Sequence, residues 1–254
     1  RDQPRSRGLG DVYKRQVYNF EGEDVAKWLN SMGIAAFVLE CRLPSDEHDN
    51  AEDVPLIDAM RAMRVIRGRA QEFGIDEAKI GVMGFSAGGF MAALLSTAYE
   101  SDVYADYKYK DEYDKLSARP DFAVCSYPVI SIDDCIEAGK RYMSEEQVLE
   151  RISDSKAKIL HKYNPDKLVR PDMPPVFICE TDDDRTTLSE NSVGFYMAAR
   201  KAGVSAELHI FRTGGHGYGC GDDFAQTGEW KVLFTKWIKS IGCLLYTSPS
   251  PRDR

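Results

Sequence analysis

Residues 79–99 read KIGVMGFSAGGFMAALLSTAY, which is an apolar run, a glycine-rich turn and a second apolar run. The first run has the composition of a buried strand and the second has the length of a helix, so the turn joins a strand to a helix. At its centre Ser86 lies between Gly84 and Gly88 in the pattern Gly-x-Ser-x-Gly. Small residues at these two places allow a strained turn to lift the serine hydroxyl out of the chain. The stretch therefore predicts that Ser86 is a nucleophile.

The glycines have a rival interpretation, a loop that cradles a phosphate in a nucleotide-binding sheet. Such loops carry a GK[ST] or a GxGxxG pattern, and neither pattern occurs in this chain. The nucleophile is thus the favoured hypothesis. The helix that follows would then aim its first N–H groups, beginning with that of Ala87, at the negative charge that develops during attack.

Strand-like and helix-like segments alternate on both sides of this turn. The strand-like runs are too apolar for a sheet with one face in water, so the pattern predicts an α/β fold with a doubly wound, mostly parallel sheet. We predict one domain over residues 17–242, with residues 131–172 as a polar, partly helical insertion. The predicted strands are 34–43, 79–85, 121–130, 174–180 and 205–211, and the predicted helices are 21–32, 53–73, 88–99, 191–202 and 228–241.

A serine hydroxyl needs a base and an orienting acid, and on this kind of sheet they follow it in the order acid, then histidine. The fourth predicted strand is followed by Asp182, Asp183 and Asp184, and the last one by His216 in a glycine-rich loop. The alternatives without a catalytic role are a charged loop tip for the aspartates and a structural hydrogen bond for His216. Position alone leaves the choice among the three aspartates open.

Composition excludes several other classes of protein. The chain has 254 residues and a formal net charge of −8, which argues against nucleic-acid binding. No apolar run approaches the roughly 18–20 residues that span a bilayer, so we expect no membrane partner. The six cysteines form no CxxC or Cys-His cluster, so zinc is not expected. The absence of a disulfide framework favours a reducing compartment, and we expect a cytoplasmic protein.

The two termini read unlike the rest of the chain. One DNA string translates to residues 243–253, CLLYTSPSPRD, and its reverse complement, shifted by one base and extended by a G, translates to residues 6–16, SRGLGDVYKRQ. That string resembles a transposase-type sequencing adapter, and two segments of one natural protein have no physical reason to be antisense images of each other. We therefore expect residues 1–16 and 243–254 to be non-native, adapter-like tails and the predicted domain to be N-terminally truncated.

The body of the chain resembles the α/β-hydrolase acetyl esterase and lipase family, including its acetylxylan esterase-like members. The resemblance runs from about Glu21 to Ile241. It implies the α/β-hydrolase fold and hydrolysis of small-molecule esters with short acyl groups, acetyl esters of carbohydrate among them, with no cofactor and no metal. The motifs that carry it are GFSAGG (84–89), MPPVFICETDDD (173–184), NSVGFYMAARKAGVSAELHIF (191–211) and GGHGYG (214–219).

The resemblance also implies roles for particular residues. Ser86 would be the nucleophile, His216 the base and Ala87 an oxyanion donor. The family's acid is the second residue of an Asp-Asp pair, which here is Asp184, with Asp183 as the alternative. The family usually has Pro and Val after the acid, where this chain has Arg-Thr-Thr, and adapter-like residues stand where the family carries its glycine-rich oxyanion loop. The second oxyanion donor is therefore expected to be missing.

Two alternatives remain at this stage. A peptidase of the prolyl-oligopeptidase type shares the serine turn, but such enzymes normally carry an additional propeller domain for which the chain has no room. A catalytically impaired fragment would act at most as a binding module. The sequence does not determine the oligomeric state.

Overall fold

A parallel sheet forms the centre of the protein. The computed structural model describes residues 18–42, 50–105, 107–152, 159, 162–220 and 227–244. Within them, four strands pair in parallel in the order β1-β2-β3-β4, so their carboxyl ends lie along one edge. The strands are β1 (Val82–Phe85), β2 (Ala123–Ser126), β3 (Val176–Thr181) and β4 (Ala206–Phe211).

Helices connect the strands and cover the sheet. No helix in the described ranges is both long enough and apolar enough to cross a membrane. The α-helices are α1 (Asp24–Ser31), α2 (Val54–Gly68), α3 (Ala70–Phe73), α4 (Ala87–Ala98), α5 (Ile132–Lys140), α6 (Glu145–Ile152), α7 (Ser189–Lys201) and α8 (Glu229–Ser240). A π-helical turn (Tyr18–Glu23) precedes α1, and 3₁₀ turns occur at Asp102–Tyr104, Glu112–Lys115 and Pro165–Lys167.

Both faces of the sheet are buried, because successive side chains of a strand point to opposite sides. In β3, Phe177 and Cys179 face a cluster that contains Phe234 of α8, while Ile178 between them faces a cluster that contains Phe195 of α7. All five side chains are buried. Helices on two sides of a parallel sheet are the architecture that the alternating sequence pattern predicts.

The prediction of a strand over residues 34–43 is wrong for the part that the structure describes. Residues 34–42 form no strand, and residue 43 lies outside the described ranges. Three of its apolar side chains are about half exposed: Phe37 at 47%, Val38 at 51% and Leu39 at 45%. An apolar run indicates burial, but a strand also needs a partner strand in register. In the described ranges, β1 pairs only with β2, so this run has no strand with which to form hydrogen bonds. It makes local contacts instead, such as that of Phe37 with Phe73.

The predicted helix 53–73 is interrupted near its end. The structure divides it into α2 and α3 at Arg69. The preceding Gly68 has a low helix propensity and packs closely on Tyr113, since an added β-carbon would lie 2.3 Å from the Tyr113 ring.

The arginines of α2 do not all point into water. Arg61 pairs with Asp111, so the polar face of the helix docks against another segment of the chain.

The first residues of the expected C-terminal tail continue the end of α8. Gly242 has a φ of +75°, the left-handed conformation that commonly ends a helix. The N–H groups of Cys243 and Leu244 both donate to the carbonyl oxygen of Ile238. Their side chains pack at the margin of the core on that face of the sheet.

The aromatic packing of α8 gives a stability prediction. Phe234 is 1% exposed and its ring lies 5.5 Å from that of Trp28 and 6.0 Å from that of Phe177. We expect Phe234→Ala to lower the free energy of unfolding by about 3–5 kcal/mol, because it removes buried contacts and leaves a cavity. Val232→Ala, on the same helix but 48% exposed, should cost less than about 1 kcal/mol. Urea unfolding measures both, and equal losses would contradict this account of the core.

Candidate active site

Ser86 lies on a sharp turn between β1 and α4. Its φ is +53° and its ψ is −117°, a combination that non-glycine residues rarely adopt. The turn is held from both sides, because the Ser86 N–H donates to the carbonyl oxygen of Ser126 at 3.0 Å and the Phe90 N–H donates to that of Ser86 at 3.0 Å. This is the strained strand-turn-helix geometry that the Gly-x-Ser-x-Gly pattern predicts.

The glycines around this turn differ in what they contribute. A β-carbon added to Gly84 would lie 1.9 Å from the carbonyl oxygen of Gly88, so no side chain fits there. A β-carbon on Gly88 would meet nothing within 4 Å, whereas one on Gly89 would lie 2.9 Å from Pro128. Gly84 thus has the predicted role, but the closely packed glycine after the serine is Gly89 rather than Gly88. The sequence pattern does not distinguish the two.

The structure brings three of the predicted residues together. His216 Nε2 lies 2.8 Å from Ser86 Oγ, and His216 Nδ1 lies 2.6 Å from Asp184 Oδ2. An ionised carboxylate only accepts hydrogen bonds, so Nδ1 carries the proton and Nε2 is left with a lone pair. The Ser86 hydroxyl therefore donates to Nε2, which is the arrangement needed for general-base activation of a serine.

Asp184 is the most enclosed member of this group, with a side chain that is 0% exposed. Its Oδ1 accepts hydrogen bonds from the N–H groups of Thr186 and Thr187 at 2.7 and 2.9 Å, and its Oδ2 accepts one from the Thr187 hydroxyl at 3.0 Å. Burial raises the pKa of Asp184, but the hydrogen bond and charge of His216 and the two backbone N–H groups more than offset it, so the pKa is lowered. The carboxylate stays charged and fixed in direction.

The other two aspartates take different positions. Asp183 Oδ1 accepts hydrogen bonds from the N–H groups of Gly214 and Gly215, at 3.0 and 2.8 Å. The Thr181 hydroxyl donates to the carbonyl oxygen of Gly215 at 2.8 Å. Asp183 therefore ties down the loop that carries the histidine and makes no bond to the imidazole, while Asp182 is exposed. The geometry thus favours Asp184 over Asp183 as the partner of His216.

Tyr127 is a site residue that the sequence analysis missed. It directly follows β2, has a φ of +36° and is fully buried, and its ring centroid lies 5.0 Å from that of His216. Its hydroxyl donates to Glu21 Oε1 at 2.7 Å and accepts from the Gly219 N–H at 3.0 Å. Burial raises the pKa of Glu21 despite the Tyr127 hydrogen bond and the His216 charge. The sequence analysis places Tyr127 inside its predicted strand 121–130, whereas the observed strand ends at Ser126, so the position of Tyr127 at the sheet edge was missed.

One of the two expected oxyanion donors falls within the described residues. Ala87 is the first residue of α4 and is exposed, and the first N–H groups of a helix have no acceptor within it. Its N–H therefore lies where the sequence analysis predicts an oxyanion donor. The segment in which a second donor was expected to be missing, residues 1–16, lies outside the described residues.

In the described ranges, the remaining histidines and the acidic side chains form no cluster that could bind a metal ion. His209 lies on β4, and its Nε2 is 2.8 Å from Glu207 Oε1. His48 and His161 fall outside the described residues. No group of three or more His, Cys, Asp or Glu side chains there could hold a metal ion.

Comparison with known proteins places this geometry in a family context. The family model BD-FAE matches residues 13–198. An acetylxylan esterase from Xylanibacter ruminicola is 30% identical over 246 residues, which is 96% of this chain and 45% of that protein. The chain therefore spans about half the length of this curated relative.

Solved structures give the same result for the fold. The acetyl ester-xyloside bifunctional hydrolase from Caldicellulosiruptor lactoaceticus is 38% identical, with a TM-score of 0.72 over 87% of this chain and 77% of that one. A thermophilic esterase from Thermogutta terrifontis with propionate bound is 26% identical, with a TM-score of 0.68 over 90% and 79%. The predicted α/β-hydrolase fold is confirmed.

The glycines of the serine turn provide a matched pair of variants. Gly84→Ala forces a β-carbon against the Gly88 carbonyl oxygen, which is backbone and cannot rotate away, so we expect a loss of about 2 kcal/mol or more in the free energy of unfolding. Gly88→Ala meets open space at the start of α4, and we expect no loss or a gain of a few tenths of a kcal/mol. Urea unfolding of the two variants measures the difference. A Gly84→Ala protein as stable as Gly88→Ala would contradict the close approach of Gly84 to the Gly88 carbonyl group.

Proposed function

The chain belongs to the BD-FAE family, and we propose that it is a serine esterase that hydrolyses short acyl esters, acetyl esters of carbohydrate in particular. Ser86 is the nucleophile in this proposal, His216 the general base and acid, and Asp184 the residue that orients and stabilises the imidazolium. The substrate is a small-molecule ester.

One observation carries the proposal: the continuous hydrogen-bonded path from the Ser86 hydroxyl through His216 to a buried, charged Asp184. The 2.8 Å link from Ser86 has the usual length of a hydrogen bond, and the 2.6 Å link to Asp184 is slightly shorter than usual. A serine merely placed in a glycine-rich loop has no need of a base at Nε2, nor of a carboxylate at Nδ1.

Acylation follows from this arrangement. The Ser86 Oγ attacks the ester carbonyl carbon while its proton passes to His216 Nε2, and a tetrahedral intermediate with a negatively charged oxygen forms. The Ala87 N–H stabilises that oxygen. The imidazolium then gives its proton to the departing alcohol oxygen as the bond between carbon and that oxygen breaks, which leaves an acyl-serine.

Deacylation repeats the same steps with water. His216 Nε2 takes a proton from a water molecule, whose oxygen attacks the acyl carbon, and the second tetrahedral intermediate collapses with return of the proton to Ser86 Oγ. Asp184 keeps its negative charge throughout and compensates the charge of the imidazolium. The products are a carboxylic acid and the free alcohol.

The substrate class is supported by the relatives. The curated relative is an acetylxylan esterase, the first solved structure acts on acetyl esters and xylosides, and the second holds propionate. The Thermogutta terrifontis esterase has also been solved with butyrate bound, so the three relatives point to short acyl groups of two to four carbons. Two of the three relatives point to carbohydrate as the alcohol. Because the chain covers 45% of the curated relative, the activity of the whole protein is part of the proposal.

Acyl chain length tests the proposal directly. We expect hydrolysis of p-nitrophenyl acetate with a kcat/KM at least about 10-fold above that of p-nitrophenyl laurate, since binding energy gained by a long chain requires an apolar channel. Release of acetate from acetylated xylan, followed alongside, tests the carbohydrate part. Equal or faster turnover of the laurate ester would overturn the short-acyl assignment. Peptide cleavage without ester hydrolysis would identify a peptidase instead.

The three triad residues should act as one unit. We expect Ser86→Ala and His216→Ala each to lower kcat by about 10⁵–10⁶-fold, and the double variant to be little worse than either, because removal of one member already disables the others. Steady-state kinetics on the acetyl ester measures all three proteins. Losses that multiply in the double variant would show that the two side chains work independently.

The aspartates give a graded series of variants. Asp184→Asn should lower kcat by about 10⁴-fold, because an amide at this place favours the wrong tautomer of the imidazole. Asp183→Asn should cost up to about 10-fold through weaker support of the Gly214–Gly215 turn, and the exposed control Asp182→Asn should stay within about 2-fold. If Asp183→Asn proved the most damaging of the three, Asp184 would not be the orienting acid.

A further inference from the structure

The loop that carries His216 is rich in glycine and is held by side chains from other parts of the fold. Four of the six residues 214–219 are glycine, and all four have positive φ. Such a segment loses much conformational freedom on folding, so it keeps one shape only where other groups fix it. Asp183 fixes its start, because the N–H groups of Gly214 and Gly215 donate to Asp183 Oδ1 at 3.0 and 2.8 Å. The end of the loop requires a second anchor.

Gly219 forms that end, and both of its backbone polar groups are bonded to side chains. Its carbonyl oxygen accepts a hydrogen bond from Trp230 Nε1 at 3.0 Å, and its N–H donates to the Tyr127 hydroxyl at 3.0 Å. Gly219 is buried, so loss of the hydroxyl would leave a buried N–H without a partner, which is costly. Tyr127 directly follows β2, so the second anchor reaches the loop from the strand that separates β1 from β3.

The direction of the hydrogen bonds at the Tyr127 hydroxyl is fixed by its single proton. The Gly219 N–H can only donate, so the hydroxyl accepts from it. The hydroxyl proton is therefore donated to Glu21 Oε1, at 2.7 Å. Burial, followed by the charge of Glu21, raises the pKa of Tyr127, so the hydroxyl keeps this proton. Donation to Glu21 makes the hydroxyl oxygen a stronger acceptor, because hydrogen bonds in a chain polarise one another.

The Tyr127 ring also contacts the imidazole itself. Its centroid lies 5.0 Å from that of His216, with the two planes at 66°, and 4.5 Å from that of Tyr218. The Tyr127 side chain is 0% exposed, and its N–H donates to the carbonyl oxygen of Cys179 at 2.7 Å. Its φ of +36° is rare for a bulky residue, and strained backbone of this kind concentrates at functional sites. The ring is thus a fixed wall beside His216, while the hydroxyl holds the loop.

We infer that Glu21 and Tyr127 form a positioning pair, which anchors the end of the His216 loop at Gly219 and keeps the imidazole directed at the Ser86 hydroxyl. Neither residue transfers a proton in the reaction, and both act through His216. The effect on turnover rests on the proposed function, whereas the anchoring of Gly219 does not. A displacement of about 1 Å in a reacting group can cost about 100-fold in rate, so the loss of the anchor is measurable in kcat.

Two tyrosine variants separate positioning from a merely structural role. Tyr127→Phe removes the hydroxyl and keeps the ring. Tyr99→Phe is the matched control, because the Tyr99 hydroxyl also donates to a carboxylate, that of Asp172, at 2.7 Å, and Tyr99 is 3% exposed. Tyr99 directly follows α4, whereas Ser86 directly precedes it, so the control lies at the other end of that helix.

Both tyrosine variants should lower the urea midpoint, since each loses a hydrogen bond to a carboxylate. Only Tyr127→Phe should lower kcat on p-nitrophenyl acetate, by about 10-fold or more, with KM within about 3-fold of the native value. Tyr99→Phe should keep kcat within about 2-fold. A native kcat in Tyr127→Phe, or an equal loss in both variants, would overturn the positioning role.

Glu21 variants test the other member of the pair. Glu21→Gln keeps an acceptor for the Tyr127 proton, so kcat should stay within about 3-fold of the native value, whereas Glu21→Leu removes the acceptor and should lower kcat by about 5-fold or more. The double variant Glu21→Leu/Tyr127→Phe should be little worse than Tyr127→Phe, because both residues act through one bond to Gly219. Losses that multiply, or a glutamine variant as impaired as the leucine variant, would overturn the pairing.

Hydrogen exchange tests the anchor without reference to activity. Exchange of the Gly219 amide hydrogen is followed by NMR and divided by that of Ile178 in β3, which reports opening of the whole fold. This ratio should rise by about 10-fold or more in Tyr127→Phe and stay within about 2-fold in Tyr99→Phe. An unchanged ratio in Tyr127→Phe would overturn the anchor. If the native chain cleaves no ester, the proposed function fails, while exchange at Gly219 still decides whether Tyr127 holds the loop.

Discussion

The backbone at Ser86 is the constraint on which the rest of the site depends. A serine with φ at +53° stores about 1–3 kcal/mol of strain, and such a conformation persists only where its surroundings leave no alternative. Here β1 fixes the entry through the bond to Ser126, α4 fixes the exit through the bond from Phe90, and Gly84 and Gly89 allow the two to approach. The hydroxyl is therefore held out at the sheet edge.

The parallel sheet then brings the partners to the same edge. Because β3 and β4 are neighbours, the loops after them lie side by side, and Asp184 and His216 meet across 32 positions of sequence. Ser86 follows β1, which lies on the opposite side of β2 from β3. Tyr127 follows β2 and fills the space between, with its ring against His216 and its hydroxyl bonded to Glu21 and Gly219. The site is thus a consequence of strand order as much as of its reactive groups.

The parts of this structure that the sequence predicts are those with a local or periodic cause. Four of the five predicted strands, the doubly covered sheet and the serine turn follow from apolar runs and from the glycine pattern. The segment 34–42 could not be placed in this way, because its apolar residues indicate burial while a strand depends on a distant partner. For the same reason the roles of Tyr127 and Gly89 stayed hidden, since each is defined by contacts with residues far along the chain.

The acidic residues at the end of β3 show how position assigns chemistry. Asp184 accepts hydrogen bonds from several donors, His216 among them, and its carboxylate stays charged. Asp183, one residue earlier, accepts hydrogen bonds from two backbone N–H groups and supports the loop. Glu180 is fully buried, and this burial, together with the negative charge of Asp184, raises the pKa of Glu180 to about 9. Neighbouring carboxyl groups thus serve as an ion beside His216 and as an anchor for the loop that carries it. Number of donors and degree of burial, rather than residue type, decide which of these a carboxyl group becomes.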